Sequence, residues 1–141
     1  MTSNVVEKID MPSRQRLPNR RPTVIEEVEV GGLPMTVTVG LDPATGDPRE
    51  VFLAGGKEGS AFDAIASDAA VVLSIALQHG VSAETLAHSI ARTPLGPTRP
   101  EDLDGRPVPT VPASPIGAAL DVLTHTAAQI AAAAREDHHG V

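Results

Sequence analysis

The sequence predicts an α+β domain in which a small three-stranded antiparallel sheet packs on a long central helix, with two further helices. Three observations support this fold class. Apolar and polar residues alternate over residues 33–41, as in a strand with one buried face. Two glycines at positions 31 and 32 separate this run from an earlier strand-like run. Residues 61–78 have the alanine content and apolar spacing of a helix.

The strands are predicted at residues 24–30, 33–41 and 49–54. The Gly-Gly pair accepts positive φ at both positions, which favours a tight β-hairpin between the first two strands. Residues 42–47 contain the Asp, Pro and Gly residues of a second reversal. The exposed edges of so small a sheet favour self-association, and an alanine-rich third helix permits close packing. We therefore expect a homodimer.

The central helix is predicted to begin after Ser60, whose hydroxyl can cap it, and to end near Gln78 before Gly80. Its apolar residues cover more than one stripe, so we expect it to be nearly buried. Ser82 begins a short second helix that is predicted to end near Arg92.

The third helix is predicted from Ser114, an N-cap followed by proline, to about Arg135. Residues 93–115 contain seven prolines and are expected to form a long extended loop without regular structure. The predicted organisation is a flexible basic arm at 1–22, one α+β domain at 23–135 and a fraying tail at 136–141.

Charge is distributed unevenly along the chain. The formal net charge is −7, with +3 in residues 1–22 and −10 in the remainder. Four arginines of the arm, Arg14, Arg16, Arg20 and Arg21, are candidates for contacting nucleic acid or an acidic partner, although a solvated tail is the simpler interpretation. No secretory signal is visible and no apolar run approaches a membrane span, so we expect a cytoplasmic protein without a membrane partner.

One turn is a candidate anion-binding site. It lies between the third strand and the central helix and consists of Gly55, Gly56, Lys57, Gly59 and Ser60. Free N–H groups at a helix N-terminus, together with a lysine, can receive a phosphate or nucleotide. The turn is not a Walker A loop, because Ser60 follows the glycine directly without the lysine of that motif. A plain strand-to-helix turn is the alternative.

The residues indicate no catalytic group, no metal site and no cofactor. The chain has no cysteine, which excludes disulfides and thiolate zinc sites. His138 and His139 are adjacent on the predicted fraying tail and cannot present a defined ligand geometry. His79, His88 and His125 lie on separate predicted elements without a paired carboxylate or nucleophile.

Six segments, taken together and in order, point to a known family. They are Arg16-Leu-Pro-Asn-Arg-Arg21, Met35-Thr-Val-Thr-Val39, Glu50-Val-Phe-Leu53, Lys57-Glu-Gly-Ser60, Leu73-Ser-Ile-Ala-Leu-Gln-His-Gly80 and Ser114-Pro-Ile-Gly-Ala-Ala-Leu-Asp-Val-Leu123. With these segments the chain resembles the TSCPD domain family, a C-terminal module of adenosylcobalamin-dependent ribonucleotide reductases that also occurs as small stand-alone proteins. The cysteine-bearing motif that names the family is absent here, so no role of those cysteines is carried over.

The resemblance implies a non-catalytic accessory or binding domain linked to deoxyribonucleotide synthesis, with a ribonucleotide reductase or a replication-related protein as partner. It also implies that the chain cannot reduce a ribonucleotide by itself, because the reactive cysteines of the reductase lie in another domain. Two alternatives remain open at this point. One is a nucleotide-binding regulator or small enzyme that uses the Gly55–Ser60 turn. The other is a nucleic-acid-associated protein, of phage or mobile-element type, that acts through its arginine arm.

Overall fold

The computed structural model describes residues 13–95 and 99–139 and confirms the α+β fold class. Strands β1 (Thr23–Val30), β2 (Leu33–Leu41) and β3 (Pro48–Gly55) form an antiparallel sheet in the order β1-β2-β3. Each strand lies within one or two residues of its predicted position.

Three α-helices follow the sheet: α1 (Ala61–Gln78), α2 (Ala83–Ala87) and α3 (Pro115–His139). Two short strands, β4 (Arg92–Pro94) and β5 (Thr110–Pro112), form a separate antiparallel pair between α2 and α3. The central helix has the predicted bounds, whereas α2 is shorter and α3 longer than the sequence indicated.

The β1–β2 hairpin has the tight turn that its glycines predict. Gly31 and Gly32 have φ of +57° and +81°, and the flanking residues Val30 and Leu33 are paired directly. Two consecutive positive φ values belong to a turn whose twist matches that of the strands.

The core lies between one face of the sheet and the helices α1 and α3. Met35, Val37 and Val39 alternate along β2 and are fully buried, and the intervening threonines are on the outer face. The core has few aromatic residues. Its many alanines have small side chains, so the helices approach the sheet closely. The helical residues of the core are Ala66, Ala69, Ala70, Leu73, Leu77, Ala83, Ala118, Ala119, Leu120, Val122 and Leu123.

One hydroxyl joins α1 to the edge of the sheet. The buried Ser74 side chain accepts a hydrogen bond from the Val51 N–H at 3.0 Å and donates one to the Val51 carbonyl at 3.1 Å. Val51 lies on β3, an edge strand, where every second residue directs both backbone groups away from its neighbour. The sequence-based expectation of an open sheet edge is therefore wrong at this position, because α1 covers it.

The prediction that α1 is nearly buried is also wrong. Ile65, Val71 and Val72 are 58, 58 and 67 % exposed, because the sheet and α3 cover only the side that carries the small alanines. By length and composition α1 could cross a membrane, contrary to the expectation that no run approaches that length. Core helices of soluble proteins pass the same test, and the inner side of α1 packs on the sheet.

Residues 93–115 are not the structureless loop that their prolines suggested, since strands β4 and β5 pair within and next to this segment. The backbone bonds from Leu95 N to the Pro109 carbonyl and from Ala113 N to the Ala91 carbonyl place the hydrogen-bonded pairs at odd-numbered positions. Pro94 and Pro112 therefore lie at even-numbered positions, where a strand needs no N–H toward its partner.

Replacing Ser74 by alanine tests the attachment of α1 to the sheet edge. We expect Ser74→Ala to lower the free energy of unfolding by about 1–3 kcal/mol, because both Val51 backbone groups lose their partner in a buried place. Ser67→Ala, an exposed position on the same helix, is the control and should change stability by less than about 0.5 kcal/mol. Urea unfolding measures both, and equal effects would contradict the account.

Candidate functional site

Residues 13–22, the described part of the predicted arm, lie against one end of the sheet. The Gln15 N–H donates to the Gln78 carbonyl at 2.8 Å, and the Leu41 N–H donates to the Pro22 carbonyl at 2.9 Å. Leu17 approaches Gly40 so closely that a Cβ there would be 3.2 Å from its Cδ1 atom. This segment is thus held by backbone bonds at both ends and by an apolar contact between them. Residues 1–12 of the arm lie outside the described residues.

Two of the four arm arginines are anchored to the domain. Arg14 Nε donates to Gln78 Oε1 at 2.6 Å, and Arg21 Nε donates to Glu50 Oε2 at 2.6 Å in a partly buried ion pair. Arg21 also donates through Nη1 to the Pro18 carbonyl at 2.9 Å. Both anchors use Nε, which leaves Nη1 and Nη2 of Arg14 and Nη2 of Arg21 without a bond to the described residues.

The anchoring brings three of the arginines around one polar cleft, which we call the arginine cleft. The cleft has a volume of about 360 Å³, and Arg20, although exposed, is not among its lining residues. Glu50 and Gln78 were missed as site residues, since nothing in their local sequence indicates that an N-terminal segment would meet them. The lining residues are Arg14, Arg16, Leu17, Asn19, Arg21, Glu50 and Gln78.

An apolar groove adjoins this cleft along β3 and α1. It has a volume of about 380 Å³, and Phe52, which is 51 % exposed, contributes to its wall. Arg14, Glu50 and Gln78 line both the groove and the polar cleft, so the two form one continuous depression. The other residues of the groove are Val51, Leu53, Ser67, Ala70, Val71 and Ser74.

The Gly55–Ser60 turn brings its five predicted residues together, but its polar groups bond to the chain itself. The Ser60 hydroxyl accepts from the Asp63 N–H at 3.2 Å, and the Asp63 carboxylate accepts from the Gly59 N–H at 3.2 Å. The Ser60 N–H donates to the Lys57 carbonyl at 2.9 Å. Asp63 thus supplies a negative charge at the helix N-terminus, where an external anion would bind. This geometry favours the plain turn.

The outward side of α1 is a second candidate site. We call it the outer stripe, and its members are all exposed. Its positions recur every three or four residues, so they form one face of the helix. A single charge, that of Asp68, interrupts an otherwise apolar surface. The outer stripe consists of Ala61, Ala64, Ile65, Asp68, Val71 and Val72.

The histidines with described side chains lie on three different helices or at their ends. Within residues 13–95 and 99–139, no three His, Asp or Glu side chains are grouped so that they could hold a metal ion. His79 and His88 lie at the C-terminal ends of α1 and α2, and His125 is exposed on α3. The side chains of His138 and His139 lie outside the described part of the chain.

The fold and surface define a small α+β domain whose candidate sites are grooves and a helix face, all suited to binding. Residues 8–136 match the family model of the TSCPD domain, and the chain belongs to that family. This finding confirms the resemblance drawn from the sequence.

Two curated relatives are named vitamin B12-dependent ribonucleotide reductase. The protein from Rhodopirellula baltica is 36 % identical over 102 residues, which is 70 % of this chain and 10 % of the relative. The protein from Agrobacterium fabrum is 35 % identical over 86 residues, which is 60 % of this chain and 6 % of the relative. The chain thus spans a tenth or less of these relatives. No solved structure gave a significant match.

A substitution at Gly40 tests how residues 13–22 pack against the end of the sheet. A Cβ at this position would be 2.7 Å from Glu50 Oε2, the atom that Arg21 holds. We expect Gly40→Ala to lower the free energy of unfolding by about 1–3 kcal/mol, because the methyl group displaces both Glu50 and Leu17. In a Glu50→Ala background the cost should be smaller, since the nearest clash is gone. If the urea concentration at the midpoint of unfolding is unchanged in Gly40→Ala, residues 13–22 do not pack closely against Gly40.

Proposed function

We propose that this chain is a non-catalytic accessory domain of deoxyribonucleotide synthesis that acts by binding a ribonucleotide reductase and that pairs with a second copy of itself. The observation that carries the proposal is the outer stripe of α1, an exposed apolar face on a helix of the described domain. We also propose a cytoplasmic location, in keeping with a role beside a reductase.

The outer stripe has the character of an interface. Contiguous exposed apolar patches are uncommon on monomeric soluble proteins, and large ones mark interaction sites. Ile65, Val71 and Val72 are more exposed than the charged pair Arg21–Glu50 at the arginine cleft. Ala61 and Ala64 lack bulk, which allows another helix to approach closely.

A second copy is the partner that fits the stripe itself. In a two-fold, antiparallel pairing centred on residue 68, residue 64 faces 72 and residue 65 faces 71. Ala64 of one helix then lies opposite Val72 of the other, and Ile65 lies opposite Val71. Small residues facing large ones pack without voids, and a two-fold interface requires one self-complementary surface. Asp68 would then lie near its own copy, and this like-charge contact keeps the pairing weak enough for exchange with another partner.

The link to the reductase rests on family membership and on the relatives. Both curated relatives contain the matching region as a small fraction of a much larger chain. The absence of cysteine from the chain supports a role in binding instead of ribonucleotide chemistry. The chain alone should show no ribonucleotide reduction. Added to a purified vitamin B12-dependent ribonucleotide reductase from the same organism, it should form a complex and change the reductase rate, and a lack of both effects would refute the link.

A nucleic-acid role for the arm is the second candidate. Arg16 and Arg20 are exposed, which supports it, whereas Arg14 and Arg21 are tied to the domain. Binding through these arginines would be weak and would fall steeply with salt. Absence of a mobility shift with DNA or RNA at low salt would eliminate this candidate.

Substitutions on α1 test the pairing. Val72→Glu should shift sedimentation equilibrium toward the monomer, because a buried, unpaired charge would lie in the interface. Asp68→Asn should tighten the pairing by removing the like-charge contact. The matched control is Ile25→Glu, at a 64 % exposed apolar position on β1 outside the stripe, and it should leave the mass unchanged. A monomeric wild type at all concentrations, or equal effects of the two glutamates, would refute the proposed interface.

A further inference from the structure

We propose that the arginine cleft and the adjoining apolar groove form a binding site for a nucleoside phosphate, with the phosphates among the arginines and the base against Phe52. This site is separate from the Gly55–Ser60 turn, and the proposal does not depend on the pairing of α1 or on the reductase link. Four observations carry it: the charge of the cleft, the free donors of Arg14, the burial of Gln78, and the continuity of the two compartments.

The cleft is positively charged in an acidic protein. Arg14, Arg16 and Arg21 line it against one carboxylate, Glu50, which is already paired with Arg21. The chain as a whole carries −7. Because like charges elsewhere repel phosphate, a small anion approaching this protein is drawn to the cleft. Guanidinium groups bind phosphate through parallel hydrogen bonds, which makes arginine well suited to such a ligand.

The outer nitrogens of Arg14 are held in place without a partner. Its Nε–H is fixed on Gln78 Oε1 at 2.6 Å, and no acceptor among the described residues bonds to Nη1 or Nη2. A guanidinium fixed at one side loses less freedom when it binds at the other. Arg21 is fixed by Glu50 through Nε and by the Pro18 carbonyl through Nη1, which leaves Nη2 for a ligand. Arg16 is exposed and completes the set.

Gln78 is the buried polar group of the site. It is only 4 % exposed, and its Oε1 atom accepts from Arg14, which can only donate. The amide is therefore oriented with Nε2 away from Arg14, and Nε2 makes no hydrogen bond to the described residues. Among those residues only the Thr126 hydroxyl is buried without a partner, so Nε2 is accessible, and Gln78 lines both the cleft and the groove. A phosphate oxygen in the cleft would accept from both Nε2 and the Arg14 amino groups.

The apolar groove explains why the ligand should be larger than phosphate. The groove shares Arg14, Glu50 and Gln78 with the cleft, so a ligand in one reaches the other. Phe52 is half exposed and lines the groove, and aromatic rings stack on the faces of all bases. Inorganic phosphate would leave this surface uncovered, whereas a nucleotide would fill both compartments. Because Phe52 would contact the face of the base and not its hydrogen-bonding edge, we expect similar affinities for different bases.

Calorimetric titration of the full chain with dATP, pyrophosphate and adenosine tests the proposal. We expect dATP to bind most tightly, pyrophosphate more weakly, and adenosine not at all. Arg16→Ala should weaken dATP binding by about tenfold, since a charge-assisted hydrogen bond is lost. Arg20→Ala is the matched control, because it removes the same charge four residues away at a position that does not line the cleft, and it should have no effect beyond about twofold.

Phe52→Ala tests the base compartment. It should weaken dATP by about fivefold or more and leave pyrophosphate unchanged, since only the stacking surface is removed. Both Arg16 and Phe52 are exposed, and circular dichroism confirms that the variants fold. Binding that falls equally in Arg16→Ala and Arg20→Ala would show a general charge effect and overturn the site. A silent Phe52→Ala would overturn the base assignment.

Two further results would overturn the proposal. The first is an absence of heat with millimolar dATP. The second is binding of an oligonucleotide or an acidic peptide to the cleft with no binding of mononucleotides, which would assign it to a macromolecule. Val72→Glu should bind dATP as the wild type does, so that failure of the α1 pairing and failure of this site remain distinguishable.

Discussion

The arrangement of this domain depends on the two hydrogen bonds between the Ser74 hydroxyl and the backbone of Val51. An edge strand needs partners for its outward N–H and C=O groups, and a three-stranded sheet has few ways to provide them. Here α1 supplies one hydroxyl that satisfies both groups. The Arg49 side chain adds a bond to the Leu77 carbonyl at the end of the same helix. Together these contacts fix the side of α1 that faces the sheet.

The orientation of α1 determines what the surface offers. With its alanine side and Ser74 turned inward, the valines and Ile65 of the outer stripe remain exposed. The same orientation places Gln78 at the end of α1, beside β3, where it meets the segment that carries Arg14. The outer stripe and the arginine cleft therefore both result from the way α1 packs on the sheet, although their proposed partners differ.

Much of the backbone could be predicted from sequence because its signals are local. The Gly-Gly turn, the alternation in β2, and the caps at Ser60 and Ser114 each depend on a few neighbouring residues, and each is present in the structure. The prolines misled the prediction for 93–115, because a proline is compatible with a strand at positions that make no ladder bond. The breadth of the apolar arc on α1 indicated burial, but it could not reveal that only one side has a covering layer.

The candidate site was also predictable only where its signals are local. The sequence identified Arg14, Arg16 and Arg21 by their charge, but their seating depends on Gly40, Glu50 and Gln78, which are distant along the chain. No local pattern connects these residues, since the contacts form only when the segment before β1 lies across the sheet. The Gly55–Ser60 turn had the clearer local motif, yet its donors bond to the chain itself.

In the proposed pairing, a second copy covers the outer stripe of α1 in solution. Because the chain has no cysteine, single cysteines report on individual positions without interference. The labelling rates of Val72→Cys and Ile25→Cys by a thiol reagent should be compared over a range of protein concentrations. The account predicts that Cys labelling at position 72 slows as concentration rises, while labelling at position 25 stays constant. Equal and concentration-independent rates at both positions would contradict it.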